Sequence, residues 1–165
     1  MGASGARAGS RAERVIAELV STASRSRRPI VFDSSLIIDF VSGNAPFGSI
    51  VAGVLIQEHV PIVLSTVTIA EAVTRPARQG DAQRIESILN DLAILAHVTI
   101  VDLDQRHAIE TAYVRAATGL KLPDAAIIAT ARLAGATALI GNDWQWRNKP
   151  LGVAYHHMDD ILALA

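Results

Sequence analysis

Residues 122–146 read LPDAAIIATARLAGATALIGNDWQW, and this stretch decides the fold. Pro123 suits the first turn of a helix, where its missing N–H costs nothing, and Gly135 suits the end of that helix. The ATALI segment that follows is a short apolar run without a polar face, which is typical of a strand covered on both sides. The pattern therefore predicts a helix and then a buried strand, with Asp124 at the helix start and Asp143 just past the strand.

The rest of the chain alternates short apolar runs with helical patterns almost throughout. Strands are predicted at 30–32, 61–64 and 98–101, with another near Val153, and helices lie between them. This alternation indicates an α/β fold, a three-layer α/β/α sandwich around a mostly parallel sheet. Ligands of such sheets bind just past the carboxyl ends of the strands, so we look for function there.

The composition narrows the possible classes of protein. Half of the 165 residues are hydrophobic and only 4% are aromatic, which suits an α/β domain with one sizeable core. The absence of cysteine excludes disulfides and thiolate metal sites, and is compatible with the cytoplasm, where we place the protein. No apolar run approaches the roughly 18 residues that a membrane helix needs, and the N-terminus lacks the apolar region of a secretory signal.

Charge is unevenly distributed along the chain. Residues 1–28 contain six Arg and two Glu, whereas the remainder contains nine basic and 14 acidic residues. We expect an Arg/Ser-rich N-terminal extension over 1–28, partly disordered and ending in a Ser/Arg linker at 21–28, and a folded domain over 29–165. A domain with a net negative charge needs cations between itself and a polyanion such as nucleic acid.

Four acids lie at strand ends or on helix faces directed towards the body of the protein: Asp33, Glu71, Asp124 and Asp143. Carboxylates that converge at one edge of a sheet repel each other unless they are protonated or bound to a metal. Oxygen ligands, without Cys or suitably spaced His, favour Mg²⁺ or Mn²⁺ over zinc. Such a site suits the hydrolysis of phosphodiesters, in which the metal activates a water and shields the phosphate.

Three of the four acids also have a simpler structural explanation. Asp124 is favoured by the helix dipole, and Asp143 is an ordinary turn residue. Glu71 has the spacing of a capping-box partner for Thr68 and of an ion-pair partner for Arg75. For any one residue taken alone, both interpretations stay open.

Four motifs taken together resemble the PIN domain, and within it the VapC-type toxins of bacterial toxin–antitoxin pairs. They are VFDSSLII at 31–38, STVTIAE at 65–71, LPDAAIIATA at 122–131 and GNDW at 141–144. The resemblance runs in order over residues 29–165. It implies a Mg²⁺- or Mn²⁺-dependent endoribonuclease that acts on RNA, forms a homodimer and is the toxin partner of an antitoxin protein.

The resemblance also implies roles for the four acids. Asp33 and Asp124 would be direct metal ligands, Asp143 would bind the metal directly or through water, and Glu71 would hold a water or a second ion. The small polar residue that follows the first Asp of the family corresponds to Ser34 or Ser35. The chain departs from the family pattern at Gly141, where members often carry Thr or Ser, so a hydroxyl near the last Asp is missing.

Other residues near the motifs are weaker candidates. Asn142 either orients the last Asp, contacts RNA or is a plain turn residue, while Arg75 and Lys121 either hold RNA phosphates or are solvated charges. Trp144 and Trp146 are able to stack on bases, but packing under the last loop is the preferred interpretation.

The HHMDD segment and the function of the chain each have an alternative interpretation. The HHMDD segment at 156–160 has the composition of a metal cluster, but acids favoured by a helix start explain it better. The alternative function is a non-catalytic PIN-like module that binds RNA or protein, and the complete set of four acids argues against it.

Overall fold

The computed structural model describes residues 16–55 and 60–163. Its five strands are β1 (Ile30–Phe32), β2 (Ile62–Ser65), β3 (Val98–Val101), β4 (Ala138–Gly141) and β5 (Tyr155–His157). They form one sheet in the order β3-β2-β1-β4-β5, and every neighbouring pair is parallel. The predicted parallel sheet is therefore confirmed, although its last strand begins two residues after Val153.

Helices connect the strands and cover the sheet. Residues 16–26 are helical and are called α1. The others are α2 (Ser34–Ser42), α3 (Phe47–Leu55), α4 (Thr66–Arg78), α5 (Ala82–Ala93), α6 (Gln105–Thr118), α7 (Leu122–Leu133) and α8 (Met158–Ala163), with a 3₁₀ turn at Trp144–Trp146.

The side chains of each strand alternate between two separate cores, as the period of two in a strand requires. In β1, Ile30 and Phe32 enter the core under α2, α3 and α5, whereas Val31 enters the core under α6 and α7. Leu139 of β4 is the Cα partner of Val31 and lies in the same core. The predicted three-layer α/β/α sandwich is confirmed.

Several helices begin directly at the carboxyl end of a strand, because the connecting residue is also the helix cap. The Asp33 side chain accepts the N–H of Ser34 at the start of α2. The Ser65 side chain accepts the N–H of Val67 at the start of α4. Such caps satisfy N–H groups that the first turn of a helix leaves unpaired. The sequence thus fixes side chains at the sheet edge without intervening loops.

Helix α1 corrects one prediction about the N-terminal region. Residues 21–26 are helical rather than part of a linker, because Val20 and Ala23 are buried in the core under α2 and α3. Arg28 follows the helix and donates to the carbonyl oxygens of Gly135 and Ala136, beyond the end of α7. The predicted disorder before residue 16 lies outside the described residues, and the domain boundary near Pro29 stays a prediction.

Within the described part of the chain, no single helix has both the length and the apolar character needed to cross a membrane. Helices α2 and α3 reach that length only together, and they meet at a bend of 95°.

Candidate active site

Asp33 occupies the junction between β1 and α2 and is only 5% exposed. Its backbone N–H donates to the Ile140 carbonyl at 2.8 Å, which ties the residue to β4. The Ser34 N–H donates to Oδ1 and the Ser35 hydroxyl to Oδ2, each at 2.7 Å. Burial raises the pKa of Asp33, these hydrogen bonds lower it, and the charge of Glu71 raises it further. The Ser34 hydroxyl also donates to Oδ1, at 3.3 Å. Because a carboxylate has about four acceptor positions, Oδ2 retains capacity for another partner.

Asp124 lies in the first turn of α7 and carries the strongest sign of a shared site. Its pKa is raised to about 6, first by burial and then by the charges of Asp143, Asp33 and Glu71. Lys121 acts in the opposite direction. Because all three other acids influence this one carboxyl group, the four predicted residues form one electrostatic site, the carboxylate cluster.

Glu71 projects from α4 and has neither of the structural roles that its spacing suggested. The capping box with Thr68 does not form, because Ser65 caps the helix instead. Among the described residues it forms no ion pair with Arg75. Its charge raises the pKa of both aspartates just described. Glu71 therefore belongs to the carboxylate cluster, as predicted from its helix face.

Asp143 begins the 3₁₀ turn, and the turn-residue interpretation is correct for its backbone. The Gln145 N–H donates to Oδ1 of Asp143 at 2.7 Å. The Tyr155 hydroxyl holds the same residue twice: it accepts the Asp143 N–H at 3.1 Å and donates to the Asp143 carbonyl at 3.0 Å. The pKa of Tyr155 is raised, mainly by burial and further by the charges of Asp33 and Asp143. Tyr155 therefore stays neutral and holds the Asp143 backbone beside the carboxylate cluster through two hydrogen bonds.

Gly141 is the last residue of β4 and lies against the same residues. A Cβ atom there would stand 2.9 Å from the Asp33 Cβ and 3.2 Å from the Tyr155 hydroxyl. Real Cβ atoms do not approach backbone-fixed groups so closely without a shift of the neighbour. The glycine that departs from the family pattern is therefore a steric requirement of this site, and the Tyr155 hydroxyl occupies the space beside it.

Two of the weaker candidates, Lys121 and Asn142, lie close in sequence to acids of the carboxylate cluster. Lys121 directly precedes α7, and its charge reaches Asp124. Asn142 lies partly exposed between Gly141 and Asp143, and its side chain has no hydrogen-bond partner among the described residues.

Arg75 lines a cleft of about 430 Å³ between α2, α4 and α5. Glu71 also lines this cleft, as do Arg78 and Arg84, so the cleft adjoins the carboxylate cluster. Arg84 donates to the Val41 carbonyl. Over the described ranges, none of the three arginines forms an ion pair. The cleft is therefore a local excess of positive charge in a domain that is otherwise acidic.

The two tryptophans of the last motif have opposite environments. Trp146 is 1% exposed and packs on Tyr155 with ring centroids 5.5 Å apart. Trp144 is 58% exposed. The preferred packing interpretation is confirmed for Trp146 and is wrong for Trp144, because a 3₁₀ turn with about three residues per turn directs these positions to different sides.

The HHMDD segment forms a helix start rather than a metal cluster. Asp159 and Asp160 lie in the first turn of α8. The His157 Nδ1 accepts the N–H of Asp159, and Asp160 binds Arg147 at 2.6 Å. The interpretation of these acids as residues favoured by the helix dipole is confirmed.

The donor atoms of the carboxylate cluster fit a hard divalent cation. Carboxylate oxygens are the protein ligands that Mg²⁺ and Mn²⁺ prefer. Glu71 and Asp124 accept no hydrogen bond from the described residues, so their oxygens are available to an ion. As placed, no three Asp, Glu or His side chains within 16–55 and 60–163 stand close enough to ligate one ion. The cluster is thus open, and side-chain rotation would be needed to close a ligand shell.

The roles of two residues of this site, Tyr155 and Gly141, were not predicted from the sequence; Gly141 was noted only for its missing hydroxyl. Tyr155 gave no local signal, since its role depends on how β5 pairs with β4. Gly141 gave a weak one, because a glycine inside a strand marks a close approach of another group. Both residues act on the geometry of Asp143 and Asp33 rather than adding charge.

Most of the chain matches one known protein family. The family model described as the PIN domain matches residues 30–150, a stretch that contains all four acids. No curated protein matches the chain significantly.

Three solved structures illustrate the similarity of fold. A toxin–antitoxin complex from Klebsiella pneumoniae is 26% identical, with a TM-score of 0.55 and coverage of 74% of this chain and 93% of the other. DNA-bound VapBC from Salmonella typhimurium is 17% identical, with a TM-score of 0.62 and coverage of 79% and 98%. VapBC2 from Rickettsia felis, bound to a DNA fragment from its promoter, is 12% identical, with a TM-score of 0.60 and coverage of 78% and 97%.

Proposed function

Because this chain belongs to the PIN domain family, we propose that it is a metal-dependent endoribonuclease and the toxin of a type II toxin–antitoxin pair. The observation that carries the proposal is the shared electrostatics of the carboxylate cluster. Burial and three neighbouring acids raise the pKa of Asp124 to about 6, which is the signature of a site that lacks its countercharge. A divalent cation would supply that charge.

Asp33, Asp124 and Asp143 are the proposed ligands of Mg²⁺ or Mn²⁺, with Glu71 beside them. When bound, the cation would lower the pKa of a water and neutralise charge on the phosphate during hydrolysis. In that hydrolysis the water would lose a proton and its oxygen would form the new bond to phosphorus, while one P–O ester bond would break and its leaving oxygen would take up a proton. The protein fixes the ligands for this reaction: Ser34 and Ser35 orient Asp33, and Tyr155 holds the backbone of Asp143.

The cleft lined by Arg75, Arg78 and Arg84, called the arginine cleft, is the proposed path for the RNA backbone. Arg75 and Arg78 lie in the same cleft as Glu71, so phosphates on either side of the scissile bond would meet positive charge there. Guanidinium groups bind phosphate oxygens in pairs, which suits this role. Lys121 is proposed as a further phosphate contact because its charge reaches Asp124. Asn142, between β4 and Asp143, is proposed as a contact to RNA or to that carboxylate.

The proposed protein partner is an antitoxin. Solved structures that share this fold are toxin–antitoxin complexes from several bacteria, which supports the assignment. A homodimer and a cytoplasmic location follow from the resemblance to VapC-type toxins and are proposed with it.

The experiment that tests this function is the cleavage of a pool of structured RNAs in Mg²⁺, in Mn²⁺ and in EDTA. The Asp124→Asn protein is the loss-of-ligand variant, and Asp39→Asn is the matched control. Asp39 carries the same charge on α2, but its Oδ1 accepts the Asn44 side chain at 3.0 Å and lies outside the cluster. We expect metal-dependent cleavage by the wild type and by Asp39→Asn, and a loss of at least about a hundredfold in Asp124→Asn.

Two results would contradict the proposal. Cleavage that persists in EDTA would exclude the metal. No cleavage by the wild type, together with no Mn²⁺ binding by calorimetry, would favour the non-catalytic module that binds RNA or protein.

A further inference from the structure

Trp144 is an exposed indole directly beside the carboxylate cluster. It follows Asp143 in the chain, and adjacent Cα atoms are only about 3.8 Å apart. The Asp143 side chain caps the 3₁₀ turn that begins with Trp144, so the two residues are positioned by the same turn. With 58% of its surface exposed, Trp144 is a large apolar side chain that packing alone does not explain.

The exposed ring is held in place by its neighbours. The Arg147 guanidinium carbon lies 3.5 Å from the centroid of the Trp144 ring, in a cation–π contact. Arg147 is itself fixed by an ion pair with Asp160 at 2.6 Å. The buried His157 ring lies 4.4 Å from the indole, tilted by 46°. The indole is therefore preset in one orientation, although more than half of it faces solvent.

The Arg147 guanidinium stands over the indole, and the 58% of Trp144 that stays exposed offers a surface on which a nucleobase stacks. Unpaired bases stack on aromatic side chains whatever their sequence, because every base has a π face. Tyr113, an aromatic residue that is 66% exposed on α6, has no such ring or guanidinium contact among the described residues, which distinguishes Trp144 from an incidental surface aromatic.

We propose that Trp144 is a stacking platform for an unpaired base of the RNA next to the scissile phosphate. The inference rests on the proposed function, since it takes the phosphodiester to lie at the carboxylate cluster. It assigns the ligand class, a nucleobase in single-stranded RNA, and it makes Arg147 and His157 positioning residues that support the ring. The same stack would select against base-paired substrate, in which the ring has no free base to contact.

The chain offers a direct optical test, because it contains only two tryptophans and Trp146 is 1% exposed. Acrylamide, a neutral quencher, reaches the exposed indole and not the buried one. In the Asp124→Asn protein with Mg²⁺, we expect short single-stranded RNA of random sequence to protect Trp144 from acrylamide. An RNA backbone of equal length without bases should not protect it.

Variants of Trp144 separate stacking from a structural role. Trp144→Leu should weaken binding of the same RNA by about five- to a hundredfold, and Trp144→Phe should restore most of the affinity. The Mn²⁺ affinity measured by calorimetry should be equal in all three proteins. Trp144→Phe also leaves Trp146 as the sole tryptophan, and RNA should then leave the acrylamide quenching of tryptophan emission unchanged.

The proposal is overturned if base-containing and abasic RNA protect equally, or if neither protects. It is also overturned if Trp144→Leu binds RNA like the wild type, or if Trp144→Leu loses Mn²⁺ binding as well. The proposed function is judged separately, by cleavage. Cleavage without protection would reject the platform and keep the nuclease, whereas protection without cleavage by the wild type would reject the nuclease and, with it, a platform next to a scissile phosphate.

Discussion

Among single residues, Asp124 matters most to the proposed metal site. Its pKa is about 6 in the folded protein, against 3.8 in an unperturbed chain. Between these two pH values the folded protein binds more protons than the unfolded one, so this group makes the protein less stable as the pH rises. The carboxylate thus opposes folding at neutral pH while it is available to a cation.

Removing this charge should therefore not harm the metal-free protein. We expect Asp124→Asn in EDTA to melt at the wild-type temperature or up to about 4 °C above it at neutral pH. The expected gain is small because Asp124 is half-buried and water screens part of the repulsion. Differential scanning calorimetry measures it, with Asp39→Asn as the control for the loss of a carboxylate outside the cluster. A clear drop in melting temperature for Asp124→Asn alone would mean that Asp124 is structural.

Gly141 should tolerate no side chain. Gly141→Ser would add a hydroxyl at the end of β4, but its Cβ would meet Asp33 and Tyr155 at 2.9 and 3.2 Å. We expect it to lower the free energy of unfolding by about 1–3 kcal/mol in urea titrations and to reduce cleavage. Gly141→Ser in a Tyr155→Phe background should recover little, since the contact with Asp33 remains. Wild-type stability in either protein would refute the steric argument.

The four acids were predictable from the sequence, but the residues that hold them in position were not. Asp33 and Asp143 each come within two residues of the end of a buried strand, so the local pattern places them at the sheet edge. Tyr155 depends on the register of β5 against β4, where Ile140 pairs with His156, and no local pattern specifies that pairing. The exposure of Trp144 depends on the direction of a short 3₁₀ turn, which two aromatic residues spaced by one position do not reveal.

At the scale of elements, the site is made by strand ends that are also helix caps. The β1–α2 junction at Asp33 combines an N-cap with a proposed metal ligand; the position of Asp33 at a strand end was predicted from the sequence, but its role as the helix cap was not. The sequence did not predict that helix α1 continues through residues 21–26. Its Ser- and Arg-containing residues favour a linker by composition, but burial of Val20 and Ala23 in the core stabilises the helix through residue 26.

The β5 strand should matter to the site through a single hydroxyl. Tyr155→Phe removes both hydrogen bonds to the backbone of Asp143, so we expect a loss of about 1–3 kcal/mol in unfolding free energy. Weaker Mn²⁺ binding should accompany that loss, because Asp143 is no longer held. Calorimetry of Mn²⁺ binding and urea titration measure the two effects.

Tyr113→Phe is the matched control for this variant. Tyr113 is 66% exposed on α6, in a layer away from β5, and its hydroxyl has no hydrogen bond among the described residues. It should leave both quantities unchanged. Tyr155→Phe with wild-type metal affinity would show that the hydroxyl supports the fold and not the position of Asp143.

At the scale of the whole molecule, an acidic domain carries one locally basic cleft. The charge totals were readable from the sequence, but the meeting of Arg75 and Arg78 on α4 with Arg84 on α5 required the packing of two helices. The alternation of strands and helices likewise predicted a mostly parallel sheet but not the order of its strands. That order is fixed by non-local pairing, which decides which strands are neighbours.

The repulsion within the carboxylate cluster should make metal binding stabilise the protein in a pH-dependent way. We expect Mn²⁺ to raise the melting temperature more at about pH 7 than at about pH 4.5, where Asp124 is protonated and binds a cation poorly. Thermal melts with and without the ion measure the difference. In Asp124→Asn the pH dependence of the Mn²⁺ effect should shrink. An equal effect of Mn²⁺ at both pH values would indicate binding away from the carboxylate cluster.

The central claim is that Asp33, Asp124 and Asp143 converge on one divalent cation. The most direct measurement is an anomalous difference map from crystals of the protein grown with Mn²⁺. We expect a peak within about 2.0–2.4 Å of carboxylate oxygens of Asp33 and Asp124, at the carboxyl end of β1 and β4. A map without a peak there, or with its only peak at the HHMDD segment, would contradict the account.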